Sequence, residues 1–198
     1  MTATGSFWAA YAAHRAAEGR QLSCSEMLAM PYLPSRQWAV RARTFDAFAR
    51  MVAQDNAVRV LDLGAGNGWL SYRLTLSGVE CVAVDVRDDD VDGLGASFCY
   101  RGFERVAASF DALPLGDGGF DIAVFNAALH YALDLTSVLG EAQRVVRSGG
   151  RIVILDSPFY AREVDGEDMV HEKRASGEYD DALLEPAFVE YLTAERLR

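Results

Sequence analysis

Residues 60–68 read VLDLGAGNG, a short apolar run that ends in three alternating glycines, Gly64, Gly66 and Gly68. Glycine there lets the backbone turn sharply and lets a ligand approach the main chain with no Cβ in the way. The next residues, NGWLSYRLTLSG, put Trp69, Leu70 and Leu74 on a helix that stops at Gly78. A strand, a glycine loop and a helix in that order open an α/β unit, and this constrains everything after it.

Alternation continues downstream. ECVAVDV (80–86), FERVAAS (103–109), FDIAVFN (120–126) and RIVILD (151–156) read as four further buried strands. They are continuously apolar, as strands covered on both faces should be. LTSVLGEAQRVVR reads as a helix with Leu135, Val138, Leu139 and Val145 on one face, and SGG ends it. DDDVDGLGASFCYRG is irregular, so any helix there is short. The fold expected is α/β: a doubly wound, mainly parallel sheet with helices on both faces.

Three segments follow from the pattern: a helical cap over 1–55, the sheet core over 56–158, and a charged loop with the start of a helix over 159–198. In the cap, Phe7, Trp8 and Tyr11 and then Trp38, Phe45, Phe48 and Val52 recur at helical spacing, with Pro31 and Pro34 breaking the chain between them. Trp8, Tyr11, Tyr32 and Trp38 read as helix packing or as part of a lid, with packing favoured for Trp38. The tail carries the charged stretch 161–181, which reads as a surface loop or a frayed helix. DALLEPAFVEYLTAERLR then contains Pro186 and supplies at most one short extended piece before a terminal helix.

The glycine loop suits two kinds of cofactor. The dinucleotide pattern GxGxxG needs a third glycine three places after Gly66, for close helix–strand packing. Trp69 stands there. Asp62 would also repel a pyrophosphate, whereas an ammonium or sulfonium would welcome it. No Tyr-x-x-x-Lys pair supports a nicotinamide-dependent oxidoreductase. DLGAGNG resembles the glycine motif of class I S-adenosylmethionine-dependent methyltransferases. The resemblance runs from about Val58 to Pro158 through VDV, FDALPL, FDIAVFNAALHY and EAQRVVRSGGRIVILDSP.

The resemblance implies the strand order 3-2-1-4-5 and a set of site residues. Asp62, Gly64, Ala65, Gly66 and Gly68 would surround the methionine part of S-adenosylmethionine, or of its product S-adenosylhomocysteine. Asp85 would accept from the ribose hydroxyls, and Val86 would pack on adenine. Asp111 would take the adenine amino group, with Phe110 and Ala112 beside the ring, although D-A-L-P is shorter than the D-x-x-x-L-P of some members. Asn126 would face the methionine moiety. The family's seventh-strand hairpin is expected to be missing, since two strands do not fit after Asp156 and the chain reads as stopping early. His130 is the candidate general base, beside Tyr131 as a pocket wall; a structural histidine is the alternative.

The formal net charge of −10 disfavours a nucleic-acid partner, and Arg36, Arg41 and Arg43, the densest basic group, read as one solvated helix face. The (D/N)PP(Y/F) motif of amino-methylating nucleic-acid enzymes is absent. A small-molecule acceptor is therefore expected, with no metal. No apolar run nears the roughly 18 residues that cross a bilayer, and no basic region opens a secretory signal. Cys24, Cys81 and Cys99, an odd set without a CxxC pair, are expected as free thiols in a reducing cytoplasm. An unprotected last strand predicts a homodimer. A chain that binds the cofactor without turning it over stays open as the alternative function.

Overall fold

The computed structural model describes residues 3–19, 22–179, 181–184 and 188–198, with side chains described from Phe7 onward. Three helices come first: α1 (Ala3–Ala17), α2 (Cys24–Ala29) and α3 (Arg36–Gln54). The core then runs β1 (Arg59–Leu63), α4 (Trp69–Thr75), β2 (Glu80–Asp85), β3 (Glu104–Ala107), β4 (Phe120–Asn126), α5 (Leu135–Val145) and β5 (Val146–Leu155). A 3-10 turn at Leu94–Cys99 joins β2 to β3, and α6 (Glu163–Ala175) and α7 (Asp181–Leu184) follow. The five strands are parallel in the order β3-β2-β1-β4-β5, as the resemblance implied.

Period-2 alternation divides the strands between two apolar layers. Val60, Cys81, Ala83, Ile122 and Val124 face one layer with Phe45, Phe48 and Val52 of α3 and Leu70 and Leu74 of α4. Leu61, Leu63, Val82, Val84, Ala123 and Phe125 face the other, with Val138, Ala142 and Val145 of α5. The central positions of β1, β2 and β4 are apolar on both faces because each face has its own helices. Asp62, near the carboxyl end of β1, departs from this: it lies between two residues of the second layer and is almost fully buried.

Helix boundaries follow local chemistry. Ser23 caps α2 and exchanges hydrogen bonds with Glu26 in a capping box. Ser35 caps α3 by accepting from the Trp38 amide, and Asp134 caps α5 by accepting from Thr136. α4 opens on Gly68, whose φ of 78° no Cβ-bearing residue adopts cheaply. A Cβ there would also come within 2.7 Å of the Phe103 ring.

Two expectations need correction. Cys24 and Cys99 form a disulfide across 75 residues, with their Cα atoms 5.6 Å apart. α2 and the 3-10 turn bring them together, while Cys81 stays free and buried in β2. Counting cysteines reveals an odd set but not which two meet in space. The thiol argument for a reducing cytoplasm loses its basis with them. Among the described residues, no helix is long and apolar enough to cross a membrane.

The tail departs as well. The charged stretch folds as α6, with Glu163 and Asp165 in its first turn and Lys173 and Arg174 in its last, which suits the helix dipole. The final residues do not start a helix. Tyr191 donates to Glu163, Arg196 donates to the Tyr191 hydroxyl at 2.7 Å, and Leu192 forms an isolated parallel bridge with Phe159. These ties to α6 and to the end of β5 hold the tail extended. Pro186 lies outside the described residues. Among those described, no strand pairs beyond β5, so β5 is a sheet edge, as expected.

Candidate functional site

A cavity of about 360 Å³ opens at the carboxyl ends of the strands, where open α/β sheets bind ligands. The loop after β1 forms its floor, the ends of β2 and β4 its sides, and α1 and α3 close over it. Asp62, Gly64, Ala65, Gly66, Asp85, Val86, Phe110, Asp111, Asn126 and His130 all line it. Gly68 and Ala112 do not. Gly68 is buried at the start of α4, and Ala112 is an exposed turn residue.

Gly64 has φ 72°, and a Cβ on it would collide with the Cβ of Ala128. The Gly64 and Ala65 amides both donate to the Val84 carbonyl, at 2.8 and 3.0 Å, which ties the loop to the end of β2. Asp85 completes the tie. One of its carboxylate oxygens accepts from the Gly66 amide at 2.7 Å and the other from the Arg87 amide at 2.8 Å. Burial nevertheless raises its carboxyl above the ordinary carboxylate value, against the pull of those two amides. A carboxylate has about four acceptor positions, so two remain for a ligand.

Asp62 is the most unusual group in the cavity. Its Oδ2 accepts from the Ser71 hydroxyl of α4 at 2.8 Å, and its Oδ1 is buried with no partner. Burial pushes the carboxyl up to about 7; Ser71 opposes the shift and Asp85 adds to it. A buried carboxylate with a spare acceptor matches a cationic ligand and mismatches a phosphate. Two of the arginines that line the cavity are ion-paired: Arg15 donates to Asp92 at 3.0 Å, and Arg87 pairs with Asp89 at 2.7 Å. An ammonium- and sulfonium-bearing, phosphate-free cofactor fits this lining.

The other end of the cavity is aromatic. Trp8, Tyr11, Trp38, Tyr131 and Phe188 line it. The Tyr131 hydroxyl donates to that of Tyr11 at 3.3 Å, and Trp38 meets Trp69 edge-on with ring centroids 6.1 Å apart. Trp38 thus both packs on the core and walls the cavity. Tyr32 stays exposed and bonds Asp46. His130 Nδ1 lies 3.4 Å from the Ser157 hydroxyl. Burial, then Lys173 and Arg41, hold its imidazole down at about 4, so it is neutral near pH 7.

Several lining residues escaped the sequence reading, among them Arg15, Arg87, Asp92 and Asp156. Arg41, expected on a solvated face, also lines the cavity. Asp156 and Ala127 follow β5 and β4 at φ 50° and 53°, the left-handed region that bulky residues avoid. Nothing in their residue types marks that turn. Among the described residues, no cluster of His, Cys, Asp and Glu is poised to hold a metal ion.

Residues 61–154 match a family model described as a methyltransferase domain. The chain is 36% identical over 100 residues to a demethylmenaquinone methyltransferase of Mycolicibacterium gilvum, covering 50% of this chain and 42% of that one. It is 33% identical over 101 residues to a malonyl-[acyl-carrier protein] O-methyltransferase of Erwinia pyrifoliae, covering 50% and 37%. The chain spans less than half the length of these curated relatives. Its fold is similar to that of the YcgJ protein of Bacillus subtilis, with TM-score 0.62 and 22% identity over 79% of this chain and 64% of that one.

The Asp62 carboxyl gives a stability prediction with a definite sign. Its folded value, about 7, exceeds the unfolded value of about 3.9. Between those limits the unfolded chain ionises while the folded carboxyl holds its proton, so Asp62 lowers stability as pH rises. Asp62→Asn keeps an acceptor for Ser71 and removes the charge. Urea denaturation of the ligand-free chain at pH 8 should find it more stable by about 1–3 kcal/mol, after allowing for a buried amide. The gain should vanish near pH 4. A less stable variant at pH 8 would contradict this reading of Asp62.

Proposed function

We propose that this chain, whose residues 61–154 match a methyltransferase-domain family model, moves a methyl group from S-adenosylmethionine to a small-molecule acceptor by in-line displacement. The observation that carries the reading is Asp62: a buried carboxylate with an unpartnered oxygen beside a loop with glycine at three alternating positions. It supports a cationic cofactor over a dinucleotide.

S-adenosylmethionine supplies a methyl carbon already activated by its sulfonium. The protein's work is therefore to align, to exclude water and to handle one proton. Asp62, Ala65 and Asn126 hold the methionine end, with Gly64 and Gly66 giving it room. Asp85 accepts from the ribose hydroxyls. Val86 and Phe110 flank the adenine, and Asp111 accepts from its amino group. α1 covers the site through Tyr11 and Trp8, and Arg15 pins that helix to Asp92 beside the ribose end. His130 is the proton acceptor for the incoming nucleophile; its neutral imidazole keeps a nitrogen lone pair available near pH 7. The named acceptors of the curated relatives, demethylmenaquinone and a malonyl-carrier thioester, belong to those proteins. They support a non-nucleic acceptor here.

The same reading includes a homodimer formed through the β5 edge. Ile152, Val153, Ile154 and Leu155 are only half-buried, and the edge carries no proline or inward charge. A second copy across a two-fold axis covers it most simply. Light scattering at micromolar concentration should give twice the chain mass, and a monomer mass would remove the dimer from the proposal.

Asp85→Ala tests the cofactor half directly. Loss of charge-assisted bonds to the ribose should weaken S-adenosylhomocysteine binding by about 2–4 kcal/mol in titration calorimetry. The carboxylate also carries the Gly66 and Arg87 amides, so Tm should fall by about 2–4 °C for each kcal/mol of stability lost. An unchanged affinity would mean that Asp85 does not hold the ribose.

A further inference from the structure

The acceptor end of the cavity combines features that together select a substrate class. Five rings wall it, from four separate parts of the chain: Trp8 and Tyr11 on α1, Trp38 on α3, Tyr131 after β4, and Phe188 in the tail. Four of them brace one another, while Trp38 is braced from behind by Trp69. Tyr131 meets Phe188 edge-on at 5.7 Å between centroids and Tyr11 at 5.6 Å, while Trp8 is tilted against Tyr131 at 6.3 Å. Phe7 backs the group, buried behind Trp8, Tyr11 and Phe188. Mutual edge-to-face packing fixes the rings before anything binds. Preformed aromatic walls favour a flat, apolar guest that stacks or meets their edges.

The charges around this chamber then exclude charged guests of either sign. Arg41 and Lys173 both act on the His130 imidazole, so a guest ammonium near that ring would meet positive potential. Arg15 and Arg87 lie over the Tyr11 ring at 5.3 and 4.8 Å but are already paired with Asp92 and Asp89, so a guest carboxylate there would lose its water without gaining a cation of its own. The polar group left to contact the reacting atom is a neutral imidazole, steadied by Ser157. A neutral imidazole accepts a proton from a neutral hydroxyl.

Resting on the methyltransferase reading, we infer that the acceptor is a neutral hydroxyaromatic compound, a phenol by class, which stacks among Trp8, Tyr11, Trp38, Tyr131 and Phe188 and presents its hydroxyl to His130. Its oxygen gains the methyl carbon. The carbon–sulfur bond breaks with its electron pair going to sulfur, and the hydroxyl proton passes to the imidazole and on to water. The single positive charge lost from sulfur leaves as the proton, so charge balances with no further reactant. The products are an aryl methyl ether and the neutral thioether. Aromaticity in this scheme is recognised by the walls, and the ionisable hydroxyl by the imidazole.

The test uses the full chain saturated with S-adenosylhomocysteine, with binding of simple probes read by ligand-observed NMR. 4-Ethylphenol should bind at least about tenfold more tightly than its saturated counterpart 4-ethylcyclohexanol, and than 4-ethylbenzoate or 4-ethylbenzylamine. Tyr131→Leu and Phe188→Leu should each weaken 4-ethylphenol by about fivefold or more, with S-adenosylhomocysteine affinity within about twofold of the parent, which also shows that the variants fold. Equal binding of the saturated or charged probes, or 4-ethylphenol affinity unchanged in both variants, would overturn the inference while leaving the methyltransferase reading intact. Failure of S-adenosylhomocysteine itself to bind would overturn that reading, and this inference with it.

Discussion

The burial of one carboxylate in the central strand organises the site. Leu61 and Leu63 of β1 point into the apolar layer shared with α5, so the pleat turns Asp62 towards α4 and the cavity floor. Ser71 satisfies one oxygen and nothing satisfies the other. Such a group destabilises the ligand-free chain near neutral pH, as strained or under-satisfied groups at functional sites commonly do. The surrounding structure tolerates it because both faces of the sheet are otherwise well packed. Under the proposed function, a cationic ligand would turn that liability into affinity.

The glycine loop depends on the same geometry. Its amides are tied to β2 through Val84 and Asp85, so the loop and the Asp85 carboxylate are held as one hydrogen-bonded unit. Gly64 is hemmed in by Ala128, which couples the loop to the end of β4. Three strand ends therefore set the floor together. The lid is held by different means. Arg15 reaches Asp92 beyond β2, and the Cys24–Cys99 disulfide fastens α2 to the turn before β3.

Much of this was legible in the sequence because period and glycine placement are local signals. β4 was expected at 120–126 and is found there, and β2, expected at 80–86, ends one residue earlier. Asp62, Asp85, Phe110, Asp111 and Asn126 each stand at a strand end or in the loop beyond it, so the order of strands carried them to one place. What escaped was long-range. Arg15 and Asp92 pair across 77 residues, and Cys24 meets Cys99 across 75. Neither partner of either pair carries a local mark of the other. Gly68 belonged to the motif by spacing, yet its role is to pack under Phe103 rather than to face the cavity. The tail misled because EYLTAERLR has helical composition, while its Tyr191 and Arg196 are committed to Glu163 of α6.

The central claim is that the β1 loop holds a cationic, phosphate-free cofactor. Titration calorimetry of the full chain at pH 7.5 with S-adenosylmethionine, and separately with NAD, tests it most directly. Saturable binding of S-adenosylmethionine at one site per chain, with no heat from NAD, is the result expected. Binding of NAD without binding of S-adenosylmethionine would contradict it.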